Sequence, residues 1–264
     1  VTWSQFKEDV KKITLLDKSG NIIQSGTSLG LVDNIENSFD IVSLLMMQNG
    51  SPMNCGDSFC VGGSLEKEGE SSPGMDAIIF YTDFANPAKQ VYSWNEDMPS
   101  SINAFAEGKV AFFLGYSYHK EQIEALNPSL NFFVTKLPQI DGSSLDINYA
   151  DYWVEVVSKK SNHKNEAWDF INFISKDENL IKYLNSTEKP TAKRSLIQAQ
   201  YENYDMQPYL DQLLSSRNWY KGNDFEKAKE ILNDTIIQVL SSDNLDEEIN
   251  QIENNINSRL DLTW

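Results

Sequence analysis

The chain has 264 residues, enough to bury a sizeable core as one large domain or two small ones. Its 39 acidic residues against 22 Lys and Arg give a net charge of −17, which argues against a nucleic-acid surface, because neutralising phosphates needs clustered cations. No apolar run approaches the roughly 20 residues that span a bilayer, and Val1-Thr2-Trp3 opens directly into a helix, as in a mature or truncated chain.

Thr2 is the expected N-cap of a first helix, with Gln5 at the capping-box position and Trp3, Phe6, Val10 and Ile13 on one face. Asp17-Lys18-Ser19-Gly20-Asn21 reads as a turn, without the spaced acids of a calcium loop. Phe39 to Gln48 reads as a buried helix ended by Asn49-Gly50, its methionines belonging to the core. Ser51 to Ser72 is rich in Gly, Ser and Glu, a hairpin or surface excursion that carries Cys55 and Cys60. Their Cys-x4-Cys spacing can close a turn as a disulfide, which would favour an exported protein; two reduced thiols are the alternative. A zinc site is disfavoured, since His119 and His163 are distant in sequence and there is no second Cys pair.

Ser72-Pro73 starts the next helix, with Met75, Ile78, Ile79 and Phe84 buried and Asn86-Pro87 as its stop. After a loop holding Trp94 and Asn95, a short helix with Ile102, Ala104 and Phe105 on its apolar stripe ends at Gly108 and feeds a buried strand, Lys109 to Leu114. Gly115, Tyr116, Ser117, Tyr118 and His119 then fall at the C-terminal end of that strand, where open α/β sheets bind ligands. A helix over His119 to Leu126 stops at Asn127-Pro128. Strands are expected over Asn131 to Leu137 and Tyr152 to Ser158, separated by a polar loop from Asp141 to Tyr149. Helices follow over Asn165 to Ile174 and Glu178 to Leu184. Beyond Lys189-Pro190 come four helical stretches, near Ser195, Gln207 to Leu214, Asp224 to Leu240 and Leu245 to Leu260, the last two amphipathic with acidic, solvated faces. Alternating helix and strand make the chain α/β.

In this order, TWSQFKEDVKKIT, DIVSLLMMQNG, FYTDFANP, SWN, AFAEGKVAFFLGYS, FVTKLPQ, a Tyr/Trp-rich strand ending in VSK, EAWDFINFIS, KPTAKRSLI and RNWYKG resemble bacterial extracellular solute-binding proteins of the carbohydrate, maltose-binding-like type, the receptors of ABC importers. Each motif is weak alone; their fixed order over most of the chain is specific. The resemblance implies a type II periplasmic-binding-protein-like lobe, helix-rich with a small mixed sheet. It implies that residues 1–133 and 190–264 form the C-terminal lobe, and that 134–189 is a crossover segment belonging to an N-terminal lobe that this chain mostly lacks, as a fragment would.

Sugars present apolar C–H faces rimmed by hydroxyls, so their receptors pair aromatic platforms with short polar groups. In family terms the ligand-binding candidates are Trp94 and Asn95, Tyr116 and Tyr118, the run Tyr149, Asp151, Tyr152 and Trp153, and Trp219, which resembles a sugar-stacking tryptophan; Asp151 is the carboxylate expected to meet sugar hydroxyls. Each aromatic has core packing as its bland alternative. Where many relatives carry Trp soon after the glycine, this chain has Tyr116-Ser117-Tyr118, so ligand identity does not transfer. The implied function is capture of a sugar or oligosaccharide between two lobes and delivery to the membrane permease of an ABC importer. The full-length receptor is expected to be extracellular or periplasmic, a lipoprotein and a monomer, whereas the fragment could self-associate. No cofactor, catalytic residue, metal or nucleic-acid partner is implied. The chain contains no G-x-S-x-G elbow, phosphate loop or zinc motif, so a secreted glycoside-processing enzyme or a helical interaction module remains only an alternative.

Overall fold

The computed structural model describes residues 1–52, 61–62 and 72–263, together with the backbone of 54–55 and 58–59. Cys60 lies outside the described residues, and with it the disulfide expected with Cys55.

The first helix, α1 (Trp3–Ile13), is capped by Thr2, whose hydroxyl accepts from the Gln5 amide at 3.3 Å. The reciprocal half of the capping box is absent: the Gln5 side chain donates to Asp9 at 3.0 Å, one turn further on. Strand β1 (Leu15–Leu16) turns back through Asp17, whose carboxylate accepts from the amides of Ser19 and Asn21, into β2 (Ile22–Thr27). A Cβ at Gly26 would stand 2.7 Å from the Val10 carbonyl, so glycine is what lets α1 lie directly on this strand.

Helix α2 (Ser38–Gln48) is buried along almost its whole length. The short antiparallel pair β3 (Asn54–Cys55) and β4 (Ser58–Phe59) precedes α3 (Pro73–Thr82), which has Ser72 as cap and Pro73 in its first turn. Helix α4 (Ser101–Ala106) feeds β5 (Val110–Phe112), which runs parallel to β2 with Ser25 opposite Val110 and Thr27 opposite Phe112. β2 is thus the centre of a three-stranded mixed sheet in the order β1-β2-β5. Helix α5 (Tyr118–Leu126) leaves the C-terminal end of β5 after a tight turn. The strand β6 (Asn148–Tyr149) pairs in parallel with β7 (Ser216–Arg217). Between them lie α6 (Lys164–Ile174), α7 (Asp177–Thr187), α8 (Arg194–Gln200) and α9 (Gln207–Gln212), and the chain closes with α10 (Phe225–Ser241) and α11 (Leu245–Asp261).

One core gathers α1, α2, α3, α10 and α11. Trp3, Phe80 and Phe84 meet edge to face at centroid distances of 5.5 Å, the arrangement their ring quadrupoles favour. Helices α10 and α11 bury Ile231, Leu232, Ile236, Ile252, Ile256 and Leu260 behind their acidic outer faces. Each such side chain contributes roughly 1.5–3 kcal/mol. The exposed Arg259–Asp234 pair at 2.6 Å is worth about 1 kcal/mol or less, so apolar burial, not the ion pair, holds these helices in place.

Two strand expectations are corrected. Residues 131–137 and 152–158 form no ladder with any described strand. Extended sequence needs a partner edge to become a strand, and no described strand pairs with these segments, which leave Phe133, Val154 and Val156 exposed at 87%, 68% and 77%. Helix α6 forms as its periodicity predicts, yet buries no residue: Trp168, Phe170 and Phe173 all stand more than half exposed. Among the described residues no helix is long and apolar enough to cross a membrane.

Candidate functional site

The turn after β5 brings four elements to one place. Asp40 sits in the first turn of α2, where the helix dipole favours a carboxylate. The Tyr116 hydroxyl donates to its Oδ2 at 2.7 Å. Tyr149, held by the β6–β7 pairing, gives Asp40 a second phenol hydrogen bond, and Asn218 donates to the Tyr149 hydroxyl at 3.3 Å. The β6 register is itself fixed by Asn148, which is buried and bonded to Ser215 and Gln139. Tyr118 stacks on Tyr116 with centroids 5.6 Å apart and planes 18° from parallel, and its outer side is open to solvent.

Burial raises the pKa of Asp40, the two phenols oppose that shift by stabilising its ionised form, and the charge of Asp151 adds to it. Burial first, and then the Asp40 charge, push Tyr116 and Tyr149 upward, so both keep their protons and remain donors. The arrangement is a half-open aromatic wall around a carboxylate, with no nucleophile beside a base. It can hold hydroxyl groups against ring faces. Among the described residues, no cluster of three His, Cys, Asp or Glu could hold a metal ion.

Of the residues anticipated from sequence, the structure gathers Tyr116, Tyr118, Tyr149 and Asp151 at this wall. Tyr152 and Trp153 follow directly, exposed at 69% and 95%. Trp94 and Asn95 belong to a loop on the core, and Trp219, although next to Asn218, is buried. Trp94 is fully buried, its indole donating to Asn34 at 2.8 Å, because the loop it occupies closes over the core. Asn95 spends its side chain on its own turn, accepting from the Asp97 amide and donating to the Tyr92 hydroxyl. Trp219 is 3% exposed and packs within the core cluster, so neither tryptophan offers a ring face to solvent. Asp40 and Asn218 were not anticipated. The signal for Asp40 is the one charged residue of a largely apolar helix, at its third position.

Solved structures share this architecture. The sugar-binding protein MalE from Xanthomonas citri superposes with a TM-score of 0.75 at 16% identity, over 98% of this chain and 63% of that one. A maltotriose-binding protein from Thermus thermophilus, bound with maltotriose, gives 0.67 at 14% identity over 99% and 65%. An ABC-transporter solute-binding protein from Thermotoga lettingae TMO, bound with α-D-tagatose, gives 0.65 at 18% over 98% and 64%. This chain therefore spans just under two thirds of the length of these structures. A comparison with curated proteins gives no match. The fold is type II periplasmic-binding-protein-like, helix-rich with small mixed sheets. The profile of the bacterial extracellular solute-binding protein family matches residues 1–181, and the chain belongs to that family.

Proposed function

We propose that this chain forms one wall of an interlobe cleft that captures a sugar or oligosaccharide and, in the whole receptor, delivers it to the permease of an ABC importer. The observation that carries the reading is the stacked Tyr116–Tyr118 pair beside a phenol-bonded Asp40: ring faces for C–H surfaces next to a carboxylate for hydroxyls. No bond is made or broken, and coupling to transport comes from closure of two lobes around the ligand, which changes the surface a permease meets. In this reading residues 1–133 and 190–264 make up the C-terminal lobe, and 134–189 are a crossover segment belonging to an N-terminal lobe. The large exposure of Trp153, Val154, Val156, Trp168 and Phe170, all within 134–189, supports that division. The family places the protein outside the cytoplasm; anchoring as a lipoprotein and a monomeric full-length receptor belong to the same proposal.

The test is a titration of the isotope-labelled chain with maltotriose and with tagatose at millimolar concentration, followed by amide chemical shifts. Perturbations centred on Tyr116, Tyr118, Tyr149 and Asp151, with no release of reducing sugar, are the expected result. Silence towards a broad saccharide panel would overturn the sugar reading, and turnover would move the protein to the hydrolases.

A further inference from the structure

His119 is one of two histidines in the chain and is buried, 4% exposed, directly behind the aromatic wall. Its ring is boxed in on every side. Phe113 meets it edge-on at 5.3 Å, Tyr118 lies 4.2 Å away and Tyr116 6.2 Å, all between ring centroids. Its Nε2 is 3.5 Å from the side-chain amide of Asn37, which holds a left-handed backbone at φ 57 just before α2. The backbone approaches as closely as the side chains. The Tyr116 amide donates to Nδ1 at 2.9 Å, and a Cβ on Gly115 would lie 2.5 Å from that same nitrogen and 2.6 Å from the Phe113 ring. Gly115 is therefore glycine because the imidazole occupies the space a side chain would need.

We propose that His119 is the positioning residue of the aromatic wall: as a neutral imidazole accepting the Tyr116 amide at Nδ1, it fixes the turn that stacks Tyr116 on Tyr118 and aims the Tyr116 hydroxyl at Asp40. The 2.9 Å bond from the Tyr116 amide sets the tautomer, since an imidazole that accepts at Nδ1 carries its single proton on Nε2; Asn37 Nδ2, itself a donor, stands off that nitrogen at 3.5 Å and does not compete. Burial favours the neutral ring, pushing the His119 pKa down to about 4. Among the described residues the groups facing the ring are two phenols, a phenyl ring and a neutral amide, and no carboxylate is in contact to stabilise an imidazolium; Asp40 is reached through Tyr116. A histidine held neutral serves here as a hydrogen-bond acceptor inside an otherwise apolar turn, a role that Leu or Phe of similar bulk cannot fill.

The importance of this turn to ligand affinity rests on the sugar-binding reading; the geometry of the turn does not, and the experiment separates the two. Long-range nitrogen–proton NMR of the ligand-free chain at neutral pH is expected to show His119 as the Nε2–H tautomer. The exposed His163 supplies the second signal, and His119→Asn identifies which is which. In His119→Phe the ring packing is kept and the acceptor lost, so exchange of the Tyr116 amide is expected to accelerate by about tenfold or more while helical amides of the core stay protected. His119→Asn, with an oxygen near the Nδ1 position, is expected to recover most of that protection. An Nδ1–H tautomer, a charged His119 at neutral pH, or a Tyr116 amide indifferent to His119→Phe would overturn the proposal, whether or not any sugar binds. If the tautomer and amide results hold but maltotriose and tagatose both leave the wild-type spectrum unchanged, the sugar reading fails and the positioning role stands.

Discussion

Replacing Tyr116 with Phe removes a single hydroxyl and leaves the ring stack intact, which makes it the sharpest probe of the Asp40 node. The lost contact is a 2.7 Å phenol-to-carboxylate hydrogen bond. Such a bond to an ionised group is worth roughly 1.5–3 kcal/mol. Asp40 is only part-buried and keeps the Tyr149 hydroxyl, so the lower end applies, about 1.5 kcal/mol. At roughly 2–4 °C per kcal/mol for a protein of this size, the melting temperature of Tyr116→Phe should fall by about 3–6 °C at neutral pH. The pH dependence follows from linkage. The folded-state pKa of Asp40 is already raised by burial, so the protonated acid is favoured in the fold, and this advantage is lost as pH rises through the folded value. Removing Tyr116, which lowers that pKa, raises it further and makes ionised Asp40 costlier still. The gap between variant and wild type must therefore be widest at neutral pH and close as the solution is acidified through the carboxylate range. Thermal unfolding by circular dichroism across that range measures it. A melting temperature within about 1 °C of wild type at neutral pH, or a gap that widens in acid, would refute the node as described.

Gly115→Ala should cost about 1–3 kcal/mol of stability in denaturant unfolding, because the new methyl meets His119 and the Phe113 ring at sub-van der Waals distances. Trp219→Ala is expected to lower stability by about 3–5 kcal/mol as a core truncation, so chemical denaturation must be measured before any loss of ligand affinity is assigned to contact. Trp153→Ala, at a position 95% exposed, should leave unfolding of this chain within about 0.5 kcal/mol of wild type.

The helices are readable from sequence where a cap meets a 3.6-residue stripe, as at Thr2 and at Ser72-Pro73, or where the stripe is long, as along α10 and α11. The β5 strand and the turn after it were readable too, since a short apolar run ended by Gly108 on one side and Gly115 on the other admits few alternatives. The strands expected over 131–137 and 152–158 failed for a reason no local pattern encodes: a strand is a pair property, and alternation such as Val154-Glu155-Val156 says nothing of whether an edge is available. Tyr149 owes its place to a two-residue parallel pairing with a segment almost seventy positions later, too short to leave a periodic signature. Aromatic residues were the least legible part of the site. Trp94 and Trp219 look like platforms in sequence because they border polar loops, yet their large apolar area is drawn into the core, whereas Tyr118 stays exposed and the half-buried Tyr116 keeps its hydroxyl bonded to Asp40. Asp40 was passed over because the helix around it reads as pure core.

The unpaired run over residues 152–157 also bears on how copies of this chain meet. The run joins no ladder among the described residues and the side chains of Tyr152, Trp153, Val154 and Val156 are exposed, features that an edge open to strand addition shares. What opposes that is long-range repulsion between molecules each carrying a net charge of −17. The two act over different distances: charge repulsion extends about a Debye length, roughly 10 Å at 0.1 M salt and 3 Å at 1 M, whereas strand pairing needs contact. Any self-association through this segment is therefore expected to be weaker in dilute salt than in concentrated salt, which light scattering at the two ionic strengths would read.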